Sequence, residues 1–217
     1  MPNWFVITIK IAATLFVLTL INYTWQNHIE DRVFPKRWGV VEPSMLFRSG
    51  QLHANLVEET LREAGIQTVV DMRYWEEDPH MIAEREAIKK LDLDSYRFPL
   101  NGDGTGDVEH YVEALTVMHE SRLAKKPVLL HCAAGSQRTS GAFAFYNTLV
   151  LGQSAEQVVA DMQDYSWRPG RDQILLDYLN EHVAYVAEQL EARGIIESVP
   201  ADLPVFKGPT SFWNFFY

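Results

Sequence analysis

The residues best suited to chemistry stand together at His131-Cys132-Ala133-Ala134-Gly135-Ser136-Gln137-Arg138-Thr139. Cys132 is the single cysteine of the 217-residue chain, so it has no intramolecular disulfide partner and cannot belong to a multi-thiolate zinc site. A free thiol titrates near about 8.5 and is mostly protonated at neutral pH; amide dipoles and a nearby guanidinium bring it toward the thiolate, which is the attacking form. Arg138 supplies a planar fork for bidentate grip on two oxygens of a tetrahedral oxyanion. Gly135 permits a tight turn that would face the backbone N–H groups of Ala133, Ala134, Gly135, Ser136 and Gln137 inward as a phosphate cradle, and the macrodipole of a following helix favours negative charge there. An arginine six residues after a cysteine is weak evidence alone. With His131 before it, Gly135 inside and the Thr139 hydroxyl after it, the pattern points to a phosphate-binding or catalytic loop rather than to a buried packing thiol.

Such a loop needs a strand to end beneath it and a helix to begin after it. Val128 to His131, just past Pro127, is a short apolar strand, and Arg138 to Leu151 carries an apolar helical face. Upstream, the pattern predicts helices at 55–64, closed by Gly65, at 78–91 and at 108–123, with strands at 66–72 and 96–100. Ser154 with Gln157 signals a capped helix, and 172–193 reads as a long one ended by Gly194. Alternating strands and helices imply an α/β fold with a mostly parallel central sheet flanked by helices on both faces, in which ligands bind at the carboxyl ends of the strands.

The motif His131-Cys132-x-x-Gly135-x-x-Arg138-Thr139 resembles the signature loop of the cysteine-dependent protein tyrosine and dual-specificity phosphatases. Phe47-Arg48-Ser49-Gly50-Gln51 and Val69-Val70-Asp71-Met72-Arg73 are similar to segments of the bacterial and atypical dual-specificity members, so the resemblance covers about residues 40–195. It implies that Cys132 attacks phosphorus to form a cysteinyl-phosphate, that Arg138 holds the equatorial oxygens, that Thr139 assists breakdown of the intermediate, and that an aspartic acid protonates the leaving oxygen. Elementary chemistry asks for the same acid, because a phenolate or alkoxide leaves poorly without a proton. Candidates lie in the glycine-punctuated segment Pro99-Leu100-Asn101-Gly102-Asp103-Gly104-Thr105-Gly106-Asp107. Asp107 stands where a helix N-cap belongs, whereas Asp103 sits between glycines with no such duty, and its interval to Cys132 is the one usual in the family. Asp103 is therefore expected to be the acid, with Asp107 the alternative. The family's common Trp-Pro-Asp form of this segment is absent. His131 is expected to hydrogen-bond around the loop, and Asp71 and Arg73 to pair or brace it. No metal and no cofactor is implied, and no histidine spacing suggests a metal site.

Length and composition bound the rest. The chain weighs 24.9 kDa, with 47% apolar residues and 22% charged, enough for one packed domain and a short extra segment. Acids outnumber bases by 29 to 19, for a formal charge of -10, which excludes a general attraction to nucleic acid. Residues 4–25 hold one charge, Lys10; as a helix they span about 33 Å, enough to cross a hydrocarbon core of about 30 Å, and aromatic residues flank both ends. A single-pass membrane anchor is expected over 1–29, ahead of a cleaved signal or a core helix, followed by a phosphatase domain over 30–200 and an aromatic tail over 201–217. Charge and length cues on sidedness conflict, with a slight lean to export. The expected partners are the membrane and a phosphorylated protein. The expected activity is hydrolysis of phosphotyrosine, with phosphoserine and phosphothreonine open; the alternatives are a phosphoinositide phosphatase and an inactive phosphate-binding module. Lipid-directed members carry lysines in the loop, where this chain has Ala133, Ala134, Ser136 and Gln137. An arsenate reductase of this design would need a second thiol.

Overall fold

The structure is a computed structural model that describes residues 3–208. Five strands, β1 (Gly39–Glu42), β2 (Leu46–Ser49), β3 (Thr68–Asp71), β4 (Asp94–Arg97) and β5 (Val128–His131), form one sheet in the order β1-β2-β5-β3-β4. β2, β5, β3 and β4 run parallel, and β1 is antiparallel to β2. β5 lies at the centre, with Ser49 and Asp71 in register with His131 on either side. Three carboxyl ends thus meet at one edge, directly below Cys132.

The three inner strands are buried throughout, because helices cover both faces of the sheet. On one face α3 (Val57–Glu63) and α4 (Pro79–Leu91) place Val57, Leu61 and Ala87 against Phe47, Val69 and Leu129. On the other, α5 (Val108–Leu123), α6 (Gln137–Phe145), α7 (Ala155–Asp164) and α8 (Gln173–Ala192) close over Leu46, Val70 and Leu130. Alternate residues of each strand serve alternate cores.

The helix at 108–123 and the strand at 128–131 fall where the sequence predicts them. Asp78 caps α4, accepting from His80 N at 2.8 Å and Met81 N at 3.2 Å, and Ser154 caps α7, accepting from Gln157 N at 3.2 Å. Gly65 is left-handed at φ +65 and ends α3. Three segments differ. β4 is Asp94–Arg97 rather than 96–100: Phe98 N and Leu100 N still donate to Asp71 O at 3.0 Å and Met72 O at 3.2 Å, but the regular ladder ends at Arg97, where β3 ends opposite it. The helix expected over 138–151 is regular only to Phe145 and continues as a π-helical turn, Tyr146–Val150. The third difference is β1 and β2, two strands that the sequence pattern does not predict.

Asn3–Thr24 form α1, a helix long and apolar enough to cross a membrane, and none of the window Ile7–Thr24 is buried in the protein. The hydroxyls of Thr8, Thr19 and Thr24 each donate to the carbonyl four residues back at 2.9 Å. A π-helical turn, Trp25–Ile29, and the short α2 (Glu30–Val33) carry the helical path to Phe34, whose backbone is extended. At the other terminus Phe206 is buried edge-on to Phe145, with Asn180 bonded to both its N–H and its carbonyl at 2.8 Å. The packed core therefore reaches beyond residue 200. Most of the aromatic tail, residues 209–217, lies outside the described residues.

Candidate active site

The loop from Cys132 to Gln137 connects the end of β5 to the start of α6. Its carbonyls are tied outward. Ala133 O accepts from Gln51 N at 3.0 Å, Ala134 O from the Arg37 guanidinium at 2.6 Å, and Gly135 O from the Arg48 guanidinium at 3.0 Å. A peptide unit is planar and trans, so a carbonyl turned out turns the N–H of the next residue the other way. Three consecutive peptides are thereby set with their N–H groups facing inward.

The turn depends on Gly135. Its φ is +73, and a Cβ there would fall 2.5 Å from Gly50 N and 2.7 Å from Ser49 C. Gly50 is equally constrained: its own Cβ would lie 2.8 Å from Ala134 O. The loop and the Ser49-Gly50 turn are therefore in backbone contact, which explains the glycines of both motifs.

Cys132 lies inside the turn and is 1% exposed. Its sulfur accepts from Gly135 N at 3.2 Å and from the Thr139 hydroxyl at 3.1 Å. Burial pushes its pKa up, but the Arg138 charge, the Thr139 hydroxyl and the amides of Thr139 and Gly135 outweigh it and hold the thiol below its ordinary value. Arg138 leans across the carboxyl edge, its Nη1 3.4 Å from both Met72 O and Leu100 O, and its buried Nε has no protein partner. The buried Ser136 hydroxyl also lacks one. Donors left unsatisfied beside a lowered thiol suit an anion with several oxygens.

Behind the loop stands Arg48, 4% exposed, which also donates to Ser140 Oγ at 2.8 Å and lies 3.5 Å from the centre of the Tyr165 ring. Burial lowers its pKa to about 10, against the raising influence of Tyr165, Cys132 and Asp161. Tyr165 in turn fills the space beside Gly39, where a Cβ would land on the phenol oxygen. Arg37 adds a bond to Ser166 Oγ at 3.0 Å.

His131 faces away from the thiol into a buried ion cluster. Arg73 holds Asp71 at 2.8 and 3.0 Å and both Glu84 oxygens at 3.3 Å, while His131 Nε2 lies 3.3 Å from Glu84, close enough to pair but poorly aligned for a hydrogen bond. Burial alone would lower the His131 pKa; Glu84 and Asp71 raise it above the usual histidine value. Asp71 is pushed up by burial, yet His131, Arg73 and Arg97 bring it below the usual carboxylate range. Asp71, Glu84 and His131 could between them ligate a cation, but the Arg73 guanidinium already supplies positive charge to both carboxylates.

The segment carrying the two candidate acids is fixed from below. Tyr111 of α5 donates to Gly104 O at 2.7 Å and Tyr178 of α8 to Gly106 O at 3.0 Å. Asp103 Oδ1 accepts from Thr105 N at 3.0 Å and the Thr105 hydroxyl at 2.8 Å, and Asp107 caps α5 through Glu109 N at 3.0 Å. Burial raises the Tyr111 pKa well above normal, and that phenol also feels the charges of Cys132, Arg138 and Asp103. Asp107 acts instead on Tyr178. The Asp103-Gly104 turn lies against the end of the loop: a Cβ on Gly104 would fall 3.3 Å from the Tyr111 hydroxyl and 3.5 Å from Gln137 C.

The structure therefore brings together Cys132, Ala133 to Gln137, Arg138 and Thr139, with Asp103 nearby. The sequence reading missed Arg37, Arg48 and the two tyrosine anchors. Arg48 lay within a quoted motif, but its partner is 87 residues away.

The fold has counterparts among known proteins. The crystal structure of TpbA from P. aeruginosa aligns with a TM-score of 0.54 and 21% identity, covering 70% of this chain and 94% of that one. The core catalytic domain of the PP-IP phosphatase Siw14 from S. cerevisiae gives 0.58 and 14%, covering 78% and 97%. PTPMT1 gives 0.55 and 17%, covering 70% and 99%. No curated protein matches the chain. A family described as "Tyrosine phosphatase family" matches residues 35–180. That match takes in the sheet, the loop, α6, α7 and the first turns of α8, well over half of the chain, which therefore belongs to the cysteine-dependent tyrosine and dual-specificity phosphatases.

Proposed function

We propose that the protein is a membrane-anchored phosphatase that hydrolyses phosphotyrosine through a cysteinyl-phosphate. The observation that carries this reading is the enclosure of the Cys132 sulfur by a turn whose Ala133, Ala134 and Gly135 carbonyls are tied outward, with Arg138 beside it at the carboxyl edge of the sheet. A dianionic phosphoryl group seated there meets the N–H groups of Ala133 to Gln137 and the Arg138 fork. The thiolate attacks phosphorus, an S–P bond forms, the bond to the leaving oxygen breaks, and Asp103 gives that oxygen its proton. Asp103, now a carboxylate, takes a proton from water as the water oxygen attacks phosphorus; the S–P bond breaks, and inorganic phosphate and the thiolate are released. Thr139 stabilises the thiolate as it departs.

Substrate choice rests on the same surface. Neither Ala133, Ala134, Ser136 nor Gln137 brings a side-chain cation, which suits a single phosphate monoester better than a polyphosphorylated ring. A TpbA variant has been crystallised with pTyr, and Siw14 is described as a PP-IP phosphatase, so both classes belong in the test. Residues 1–29 are taken as the anchor and the domain that follows as the catalytic unit. The experiment compares turnover of a phosphotyrosyl peptide, a phosphoseryl peptide, a phosphoinositide and an inositol pyrophosphate by the full chain and by Cys132→Ser. Fastest turnover of the phosphotyrosyl peptide, abolished by the substitution, supports the reading. Binding without turnover in the wild type replaces it with a phosphate-binding module.

A further inference from the structure

The antiparallel start of the sheet fixes where the apolar helix joins the domain. Because β1 runs against β2, its first residue pairs near the carboxyl end of the parallel strands: Gly39 opposes Arg48, one residue from the Ser49–His131 level. The chain coming from α1 therefore reaches the domain at the edge that holds Cys132. It is attached there: Gly50 N donates to Lys36 O at 2.7 Å, Asn55 Nδ2 to Arg32 O at 3.1 Å, Lys36 pairs with Asp31 at 2.6 Å, and Arg37 holds Ala134 O of the loop itself.

The tether is short. Residues 26–33 add about 12 Å of helix beyond the apolar span and residues 34–37 at most about 14 Å of extended chain, so Arg37 stands within about 25 Å of the end of that span. A globule of about 150 residues is roughly 40 Å across. With the connector bonded to the catalytic edge, the opposite pole cannot be the one turned to the bilayer. The connector also keeps an apolar face: Trp25, Ile29 and Val33, spaced four apart, and Phe34 are all exposed, with Trp25 and Phe34 rings 6.5 Å apart. An amphipathic helical stretch of this kind lies in the headgroup region rather than standing clear of it. Tyr74 and Trp75, exposed just past the carboxyl end of β3, belong to the same edge.

We propose that the catalytic edge is apposed to the membrane and that the enzyme's substrates are phosphotyrosines in the membrane-proximal segments of membrane-anchored proteins. This rests on the phosphotyrosine phosphatase and membrane-anchor readings above. Confinement of enzyme and substrate to one shallow layer raises their effective concentration only for phosphates within the tether's reach. A protein side chain is favoured over a polyphosphorylated lipid headgroup because the loop offers no side-chain cation beyond Arg138.

The full chain is reconstituted in phosphatidylcholine vesicles that carry a lipid-anchored peptide with its phosphotyrosine either about 10 or about 60 residues from the anchor. A second protein carries a flexible 30-residue Gly/Ser insertion between Thr24 and Trp25, which leaves the docked connector intact. The wild type is expected to prefer the near phosphotyrosine at least tenfold, and the insertion to reduce that preference severalfold while turnover of a soluble aryl phosphate stays within about twofold. Equal turnover of near and far peptides by the wild type, a preference that the insertion does not change, or faster turnover of a phosphoinositide in the same vesicles overturns the proposal. Absence of wild-type turnover on the soluble aryl phosphate is a failure of the phosphatase reading instead, and release of the protein from vesicles by alkaline carbonate is a failure of the anchor reading.

Discussion

The Arg48 guanidinium donates to Gly135 O at 3.0 Å, and this one bond joins β2 to the turn of the cysteine loop. Among the described residues Arg48 forms no salt bridge; it lies against the Tyr165 and Phe143 rings and Ser140, and feels the charges of Cys132 and Asp161. A buried guanidinium with this environment fixes the peptide that faces the thiol and adds positive potential behind it. Arg48→Met is expected to lower kcat/KM roughly ten- to hundredfold, as loss of a preorganised donor does, with Arg48→Lys intermediate. Stability should change by less than about 2 kcal/mol, because the lost hydrogen bonds are offset by no longer burying a charge. Alkylation of Cys132 as a function of pH gives the decisive readout: its midpoint moves up in Arg48→Met. An unchanged midpoint with a large loss of stability would make Arg48 a packing residue only.

Gly135→Ala combines a positive φ with backbone collisions at Gly50 and Ser49 that no side-chain rotation relieves. The expected loss is about 3 kcal/mol or more. Gly65→Ala is the control. It has a similar φ of +65 but open space around it, so about 1 kcal/mol is expected. Chemical denaturation of both variants checks the contrast, and equal losses would refute the contact argument.

The His131–Glu84 pair gives stability a definite pH dependence. His131 is held above its usual pKa by Glu84 and Asp71 against burial and Arg73. Its contribution is therefore fully present below the unfolded-state value of about 6.5 and fades as pH rises through the raised folded-state value. Asp71 works at the other end, with stability present above the ordinary carboxylate range and lost as pH falls through its depressed value. Glu84→Gln should cost about 3 kcal/mol at pH 5.5 and measurably less at pH 9 in urea unfolding. A cost that grows with pH would reverse the assignment.

Asp103 and Asp107 are separated by what each already does. Asp107→Asn keeps a capping oxygen, so it should leave kcat within about threefold and stability within about 1 kcal/mol. Asp103→Asn should lower kcat/KM, which reports the first step alone, by two to three orders of magnitude on phosphotyrosine and much less on an aryl phosphate whose phenol is acidic and leaves without a proton. Steady-state kinetics across a leaving-group series checks this. Equal slopes for wild type and Asp103→Asn would remove Asp103 as the acid.

The cysteine loop was legible because its sequence carries its own setting: nine consecutive residues follow an apolar strand and open a helix, and those local rules survived folding unchanged. The support around it was not legible. Arg37 and Arg48 reach the loop from 97 and 87 residues away, and nothing local distinguishes them from solvent-facing arginines. β1 and β2 are four residues each, and Pro35, Gly39 and Pro43 mask them as irregular chain. β4 was misplaced for a related reason: its exposed, polar pairing residues carry little apolar signal, whereas Phe98 and Leu100 just beyond it do. The two acids could be ranked by chemistry, but Tyr111 and Tyr178, which hold their segment, come from helices whose packing only the tertiary fold reveals.

Gly39, Arg48 and Tyr165 belong to three separate stretches of chain, yet each fills the space left by another. A larger residue at 39 displaces the phenol, and without the phenol the guanidinium loses the surface it rests on. Natural variation at these positions should therefore be epistatic, moving as a trio or not at all, and a swap at any one of them alone would be purged by selection.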